Sequence, residues 1–325
     1  MKRPSIIRTP DSLLEWRHSA RRGTPVTLVT GTFDLFQPGN LSTIRRAAAL
    51  AGPVVVVVEP DTVVAGHVPA GRPQNPLETR LEMVSQLRAV SAVTHLAPGR
   101  EAAFFAQLAP FVWVTAKASA GQDPYHDSLS ATAERIEAIE PLGGCFTRDI
   151  IKAMDEHRTP IRLPIGWNEP RLAPSPPVTP TGVTVTVNGC FDILHVGHLR
   201  FLEESRAMGD SLTTLINSDA SVVRYKGPTR PVFPEAFRKA ALMALSPVDA
   251  VVTFSGDSPL DELARLRPMI HVKGGSYEPE RVRQERELVE GWGGRLVCTP
   301  MVEGFSTTRF INQALRGTNP VHALP

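Results

Sequence analysis

The chain has 325 residues, 42% hydrophobic and 21% charged, the composition of a globular protein long enough for two ordinary domains. Its 35 Lys and Arg against 33 Asp and Glu leave a formal charge of +2, so bulk attraction gives no case for a nucleic-acid or membrane partner. Three widely spaced cysteines, Cys145, Cys190 and Cys298, without a CxxC pair, argue against a disulfide framework and a structural zinc site and fit a reducing cytoplasm.

The opening stretch, MKRPSIIRTPDSLLEWRHSARRG, is basic but lacks an apolar core of secretory length. An apolar run and turn, VTLVTGTFDLF, spans Val26 to Phe36, and the longest apolar run, Val54 to Val58, is too short to cross a bilayer. GRPQNPLETRLEMVSQL follows from Gly71, PFVWV from Pro110 and GCFTRDI from Gly144. Trp167 to Gly182 then carries Pro170, Pro174, Pro176, Pro177 and Pro180, which disfavour helix and ladder pairing and predict an extended linker. Beyond it, strands are expected at Val183 to Val187, Leu212 to Asn217, Ala250 to Phe254, Met269 to Lys273 and Arg295 to Cys298. Helical spacing marks HLRFLEESRAM from His198 and PEAFRKAALMAL from Pro234.

The second half repeats the first. VTLVTGTFDLF matches VTVTVNGCFDIL, with Gly31 against Gly189, an offset of 189 − 31 = 158. The same offset pairs Arg72 with Arg230, Arg80 with Arg238 and Pro110 with Pro268; a two-residue slip then brings GCFTRDI onto GFSTTRFI. Four matches in order predict two copies, at residues 24–155 and 182–316, joined by a linker at 156–181. Alternating strand and helix within each copy predicts an α/β fold, a parallel sheet with helices on both faces. Ligands of such sheets sit beyond the carboxyl ends of the strands.

In the second copy the first strand runs into NGCFDILHVGHLRFLEES, placing His195 and His198 at a helix start. A helix N-terminus offers unpaired N–H groups and partial positive charge, a natural seat for phosphate. Two imidazoles three residues apart can donate to phosphate oxygens there, while Gly189 and Gly197 let the backbone come close. Lys273, in HVKGG at a strand end, lies where a nucleotide contact is expected. For Arg230 and Arg238 two readings stay open, phosphate or acceptor contact and architecture, because both have counterparts in the first copy. Asp192 and Asp219 are candidates to orient the site; Cys190 and His271 read as packing and strand residues. Arg281, Arg283 and Arg286, interleaved with Glu280, Glu285 and Glu287, read as a solvated helix face.

GCFDILHVGH matches the GxFDxxHxGH signature of the cytidylyltransferase-like nucleotidyltransferase superfamily. Through residues 183–311, the segments NSDASVVRYKGPTRPV, VDAVVTF, HVKGGSY, GGRLV and GFSTT resemble the nucleotidyltransferase domain of bacterial ADP-heptose synthase. The resemblance implies two tandem Rossmann-like domains and transfer of a nucleoside monophosphate from ATP or CTP to a phosphorylated acceptor, with magnesium expected and metal ligands unassigned. It implies that His195, His198 and Lys226 act on the phosphates, and that Ser306, Thr307 and Thr308 complete the triphosphate site with Gly189, Phe191, Asp192 and Gly197. Heptose 1-phosphate is the expected acceptor. The rival readings are a CTP enzyme acting on phosphoethanolamine or glycerol 3-phosphate, and a nucleotide sensor without turnover.

At the 158 offset His195 falls on Gln37, His198 on Asn40, Lys226 on Val68 and Lys273 on Thr115, while Cys145, Phe146 and Thr147 replace the STT motif. Phe33, Asp34, Gly39, Arg72 and Arg80 remain. The first copy is therefore expected to keep the fold and lack the chemistry. Because the superfamily commonly works as a homodimer, it would serve as a built-in partner, an intramolecular pseudo-dimer.

Overall fold

A computed structural model describes residues 6–20, 23–50, 52–67, 72–116, 123–140, 142, 145–157, 159–163, 167, 182–275, 279–300 and 305–318. Contacts divide the chain into two compact units, one reaching to Thr147 and the other running from Arg148 to Leu315.

The first unit contains α1 (Pro10–Ala20), β1 (Thr27–Gly31), α2 (Pro38–Ala48), β2 (Val54–Val58) and α3 (Asp61–Ala65), then α4 (Leu77–Ser85), β3 (Val90–Thr94), α5 (Glu101–Leu108), β4 (Val112–Ala116), α6 (His126–Thr132) and β5 (Arg135–Ile139). Its strands are all parallel, in the order β3-β2-β1-β4-β5. The five valines of β2 are all buried, as an interior parallel strand covered on both faces requires. Edge strand β5, RIEAI, is largely exposed. Right-handed crossovers put α2 and α4 on one face and α5 and α6 on the other. On the latter face Leu28, Val55, Val57, Ala92 and Trp113 meet Phe104, Phe105, Leu108 and Leu129. Leu13 and Leu14 of α1 join that core, so the first unit begins upstream of residue 24.

The second unit holds α7 (Thr147–Asp155), β6 (Thr184–Gly189), α8 (Val196–Arg206), β7 (Ser211–Asn217), α9 (Asp219–Lys226), α10 (Glu235–Met243), β8 (Ala250–Phe254) and α11 (Leu260–Leu266). It continues with β9 (Ile270–Gly274), a 3-10 turn (Pro279–Val282), α12 (Arg283–Glu290), β10 (Arg295–Thr299) and α13 (Thr307–Thr318). Its parallel sheet, β8-β7-β6-β9-β10, repeats the order of the first. The chain is thus two tandem α/β domains. Helix α7, expected to close the first copy, groups with the second unit.

Residues 168–181 of the expected linker lie outside the described residues. The part that is described packs on the second copy: the Ile161 N–H donates to the Val232 carbonyl at 2.9 Å, the Thr159 hydroxyl to the Thr229 carbonyl at 2.6 Å, and the Trp167 ring meets Phe237 edge-on at 5.8 Å. Among the described residues no helix is long and apolar enough to cross a membrane.

Candidate active site

In the second sheet β6 lies between β7 and β9, and the chain reverses its direction of travel across the sheet there. The crevice beyond the carboxyl end of β6 is the switch point where such sheets bind ligands. The turn leaving β6 begins with Gly189, where a Cβ would stand 3.0 Å from the Phe191 ring. Phe191 has φ 46, a left-handed conformation that tightens the turn. Asp192 follows, 2% exposed, accepting from the Val232 and Phe233 N–H groups at 2.8 and 2.9 Å and from Arg230 Nε at 2.7 Å.

His195 is the N-cap of α8 and its Nδ1 accepts from the His198 N–H at 3.4 Å. The two imidazoles stack, with centroids 3.8 Å apart and planes 18° apart. Gly197 keeps the approach open: a Cβ there would lie 3.0 Å from His195 Nδ1 and 3.1 Å from the Phe305 Cβ. Phe305 in turn faces His195, with ring centroids 6.4 Å apart, and leads into α13. Ser306 caps that helix, its Oγ accepting from the Arg309 N–H at 3.1 Å, and Thr307 and Thr308 form its first turn. Two helix N-termini, of α8 and α13, therefore meet beside the histidine pair. Their unpaired N–H groups and partial positive charges add, which suits an anion with several phosphates.

Burial sets the charge of the two histidines. Burial pushes His195 down to about 4, and it pushes His198 well below the usual imidazole range, with the charge of His195 adding to the effect. Both are neutral at physiological pH in the protein itself, so they serve as neutral N–H donors and gain protons only where an anion offsets the burial. The standing positive charge comes from Lys226, exposed at the end of α9 with its Nζ 4.8 Å from the Tyr225 ring centroid. The charge of Lys226 also opposes the burial that raises the Cys190 thiol, so this lysine acts on the turn after β6.

Arg230, Arg238 and Lys273 are occupied within the protein. Arg230 binds Asp192. Arg238, 1% exposed, donates to the carbonyls of Phe233, Cys190 and Asn217 at 3.1, 2.7 and 2.8 Å and to Asp219 at 2.9 Å. Those contacts favour the architectural reading for both arginines. Lys273, within β9, is 8% exposed with Nζ 2.8 and 3.0 Å from the Glu285 carboxylate oxygens. Glu285, read from sequence as part of a solvated face, is itself buried, and fully buried His271 bonds Thr186 at 2.8 Å on the neighbouring strand. Among the described residues no three or more His, Cys, Asp or Glu side chains group to hold a metal, and Asp192 and Asp219 are already bound. The expected magnesium therefore has no seat built from these side chains among the described residues.

The first copy shows the same construction with other side chains. Gln37 caps α2 by accepting from the Gly39 N–H, and Asn40 accepts from the Gln37 N–H at 3.3 Å. Asp34, 4% exposed, binds Arg72 at 2.6 Å and the Gln74 and Asn75 N–H groups at 2.8 Å. Arg80 holds the carbonyls of Thr32, Glu59 and Asn75 together with Asp61.

The sequence profile of the cytidylyltransferase-like family matches residues 28–140 and 186–313, one segment in each copy. The bifunctional protein HldE of Syntrophotalea carbinolica is 50% identical over 131 residues, 40% of this chain and 26% of that protein. HldE of Methylococcus capsulatus is 47% identical over 133 residues, 41% of this chain and 28% of its own length. The similarity thus spans about a quarter of these relatives. The lipopolysaccharide core biosynthesis protein of Thermoplasma volcanium aligns with 37% of this chain and 97% of its own at 25% identity, with a TM-score of 0.32, too low to bear on the fold. With matches in both halves and a nucleotidyltransferase signature in the second, the chain belongs to the cytidylyltransferase-like family and is a nucleotidyltransferase.

Proposed function

We propose that the second copy joins ATP and heptose 1-phosphate to give ADP-heptose and pyrophosphate. The observation that carries the phosphate chemistry is the stacked His195–His198 pair where the N-termini of α8 and α13 meet. The choice of acceptor and base rests on the resemblance of residues 183–311 to the ADP-heptose synthase domain and on the identity with the HldE proteins.

In this reading an acceptor phosphate oxygen attacks the α-phosphorus, the bond from that phosphorus to the bridging oxygen breaks, and pyrophosphate leaves on the opposite side. No covalent enzyme intermediate forms. The protein holds two anions in line and stabilises the charge growing on the bridging and leaving oxygens. His195 and His198 donate to the α- and β-phosphates. Ser306, Thr307 and the free N–H groups of α13 hold the outer phosphates, and Lys226 offsets charge between acceptor and triphosphate. Gly189, Phe191 and Gly197 shape the backbone approach.

Pyrophosphate release, measured with each of the four nucleoside triphosphates against heptose 1-phosphate, glycerol 3-phosphate and phosphoethanolamine, tests the proposal. Turnover with ATP and heptose 1-phosphate is expected. Turnover with CTP alone would replace the reading with the cytidylyltransferase one, and tight nucleotide binding without release from any pair would leave a sensor.

A further inference from the structure

At the mouth of the second copy's crevice a contact crosses from one wall to the other. Tyr225 lies in α9, which leaves the carboxyl end of β7, and Arg281 lies in the 3-10 turn that follows β9. The Arg281 guanidinium donates to the Tyr225 hydroxyl at 2.6 Å. Because β6 runs between β7 and β9, this bond spans the end of the strand that feeds the histidine turn. Tyr225 is 60% exposed, the most exposed large aromatic among the described residues, and Lys226 Nζ sits against its ring. Two cations and an open aromatic face thus stand together on the lip of the crevice. Both Tyr225 and Arg281 are exposed.

We infer that Tyr225, Lys226 and Arg281 form the subsite for the phosphorylated acceptor, with the cations on its phosphate and the tyrosine ring under its sugar. This deepens the proposed function and rests on it. A neutral base would give two cations nothing to bind, whereas a sugar phosphate presents a dianion next to a body with an apolar face. Arginine matches phosphate oxygens in pairs, and an aromatic ring beside it offers contact area with little conformational freedom to lose.

The first copy supplies a control at the same offset. Tyr225 falls on His67 and Arg281 on Asp123, since 225 − 67 and 281 − 123 are both 158. There His67 pairs at 3.2 Å with Glu59, which is buried just past β2, and feels Asp123. Asp123 in turn is held by the Thr30 hydroxyl at 2.6 Å. One carboxylate thus stands where the second copy has Arg281, and the set of Tyr225, Lys226 and Arg281 is particular to the copy that keeps the histidines.

Steady-state kinetics on the full chain, with Arg281→Ala, Tyr225→Ala and Tyr225→Phe, tests the assignment. Arg281→Ala and Tyr225→Ala should each raise KM for heptose 1-phosphate about tenfold or more, with KM for ATP within about twofold and unfolding midpoints unchanged. Tyr225→Phe, which keeps the ring and loses the bond to Arg281, should show a smaller rise. A rise in KM for ATP instead would assign the lip to the nucleotide, and unchanged acceptor KM in a turning-over enzyme would overturn the inference while leaving the proposed function standing. If no pair turns over, calorimetric titration of heptose 1-phosphate onto the wild type and Arg281→Ala decides: weaker binding to the variant supports the subsite, and equal or absent binding rejects it.

Discussion

The two copies begin their first crossover helix with nearly the same backbone and different chemistry. Gln37 caps α2 at φ −136 and ψ 169, and His195 caps α8 at φ −141 and ψ 167. Phe33 and Phe191 share the left-handed turn at φ 52 and 46. Asp34 with Arg72 and Arg80 repeats Asp192 with Arg230 and Arg238, partner for partner. Among the groups that can face a ligand, amides replace the imidazoles, Val68 stands at the place of Lys226 and Asp123 at that of Arg281. Comparing the copies separates residues that build this fold from residues that work on phosphate, a separation that a single domain cannot supply.

The comparison is broken most directly by giving the second copy the first copy's side chains. His195→Gln with His198→Asn should lower turnover by roughly a thousandfold or more while the protein stays folded, because glutamine already caps this helix start in the first copy. Loss of folding, by circular dichroism, would show that the histidines are architectural too. Next in size are the shared arginines. Arg72→Ala and Arg230→Ala each strand a buried carboxylate that keeps its backbone donors, and each should cost about 3 kcal/mol in denaturant unfolding of its own unit. If Arg230→Ala instead spared stability and abolished turnover, its place among the phosphate contacts would return.

The smallest effect is a pH dependence. The folded pKa of His195, about 4, lies below the unfolded value near 6.5, and burial lowers His198 well below that value too. The unfolded chain therefore takes up protons first as pH falls. The stability that the neutral pair allows is present above about pH 6.5 and is lost as pH drops toward 4. Relative to the double variant, the wild type should match in unfolding midpoint at pH 7 and fall progressively behind below it; parallel curves would mean that the pair is not buried neutral.

Much of this was legible in the sequence. Hydrophobic runs and turns gave the strands of the second copy within about two residues, because a parallel strand buried on both faces must be apolar along its length. The constant offset gave the duplication, and the motif gave the helix start at His195. Other features were not legible, because their meaning lies in partners distant along the chain. Arg238 is basic in the sequence, but only the fold brings it to carbonyls at Cys190 and Asn217. Lys273 was expected to face nucleotide, yet the turn into α12 delivers Glu285 to it. Arg281 reads as one of several solvated arginines until Tyr225, in a different crossover, receives its hydrogen bond. Helix α1 gave no signal of its own, since its two leucines matter only once a sheet is there to receive them.

The buried guanidinium of Arg238 has a mechanical consequence. It fastens the backbone just beyond β6 to the end of β7, and through Asp219 to the start of α9. The floor of the crevice is thereby set at folding, like the fixed jaw of a vice, and its width does not wait on the substrate. An incoming triphosphate meets a cradle already spaced for it, so the ordering cost of binding falls on the ligand and on the lip. At the lip, by contrast, the Arg281–Tyr225 bond joins two exposed side chains, which leaves them room to rearrange around what enters.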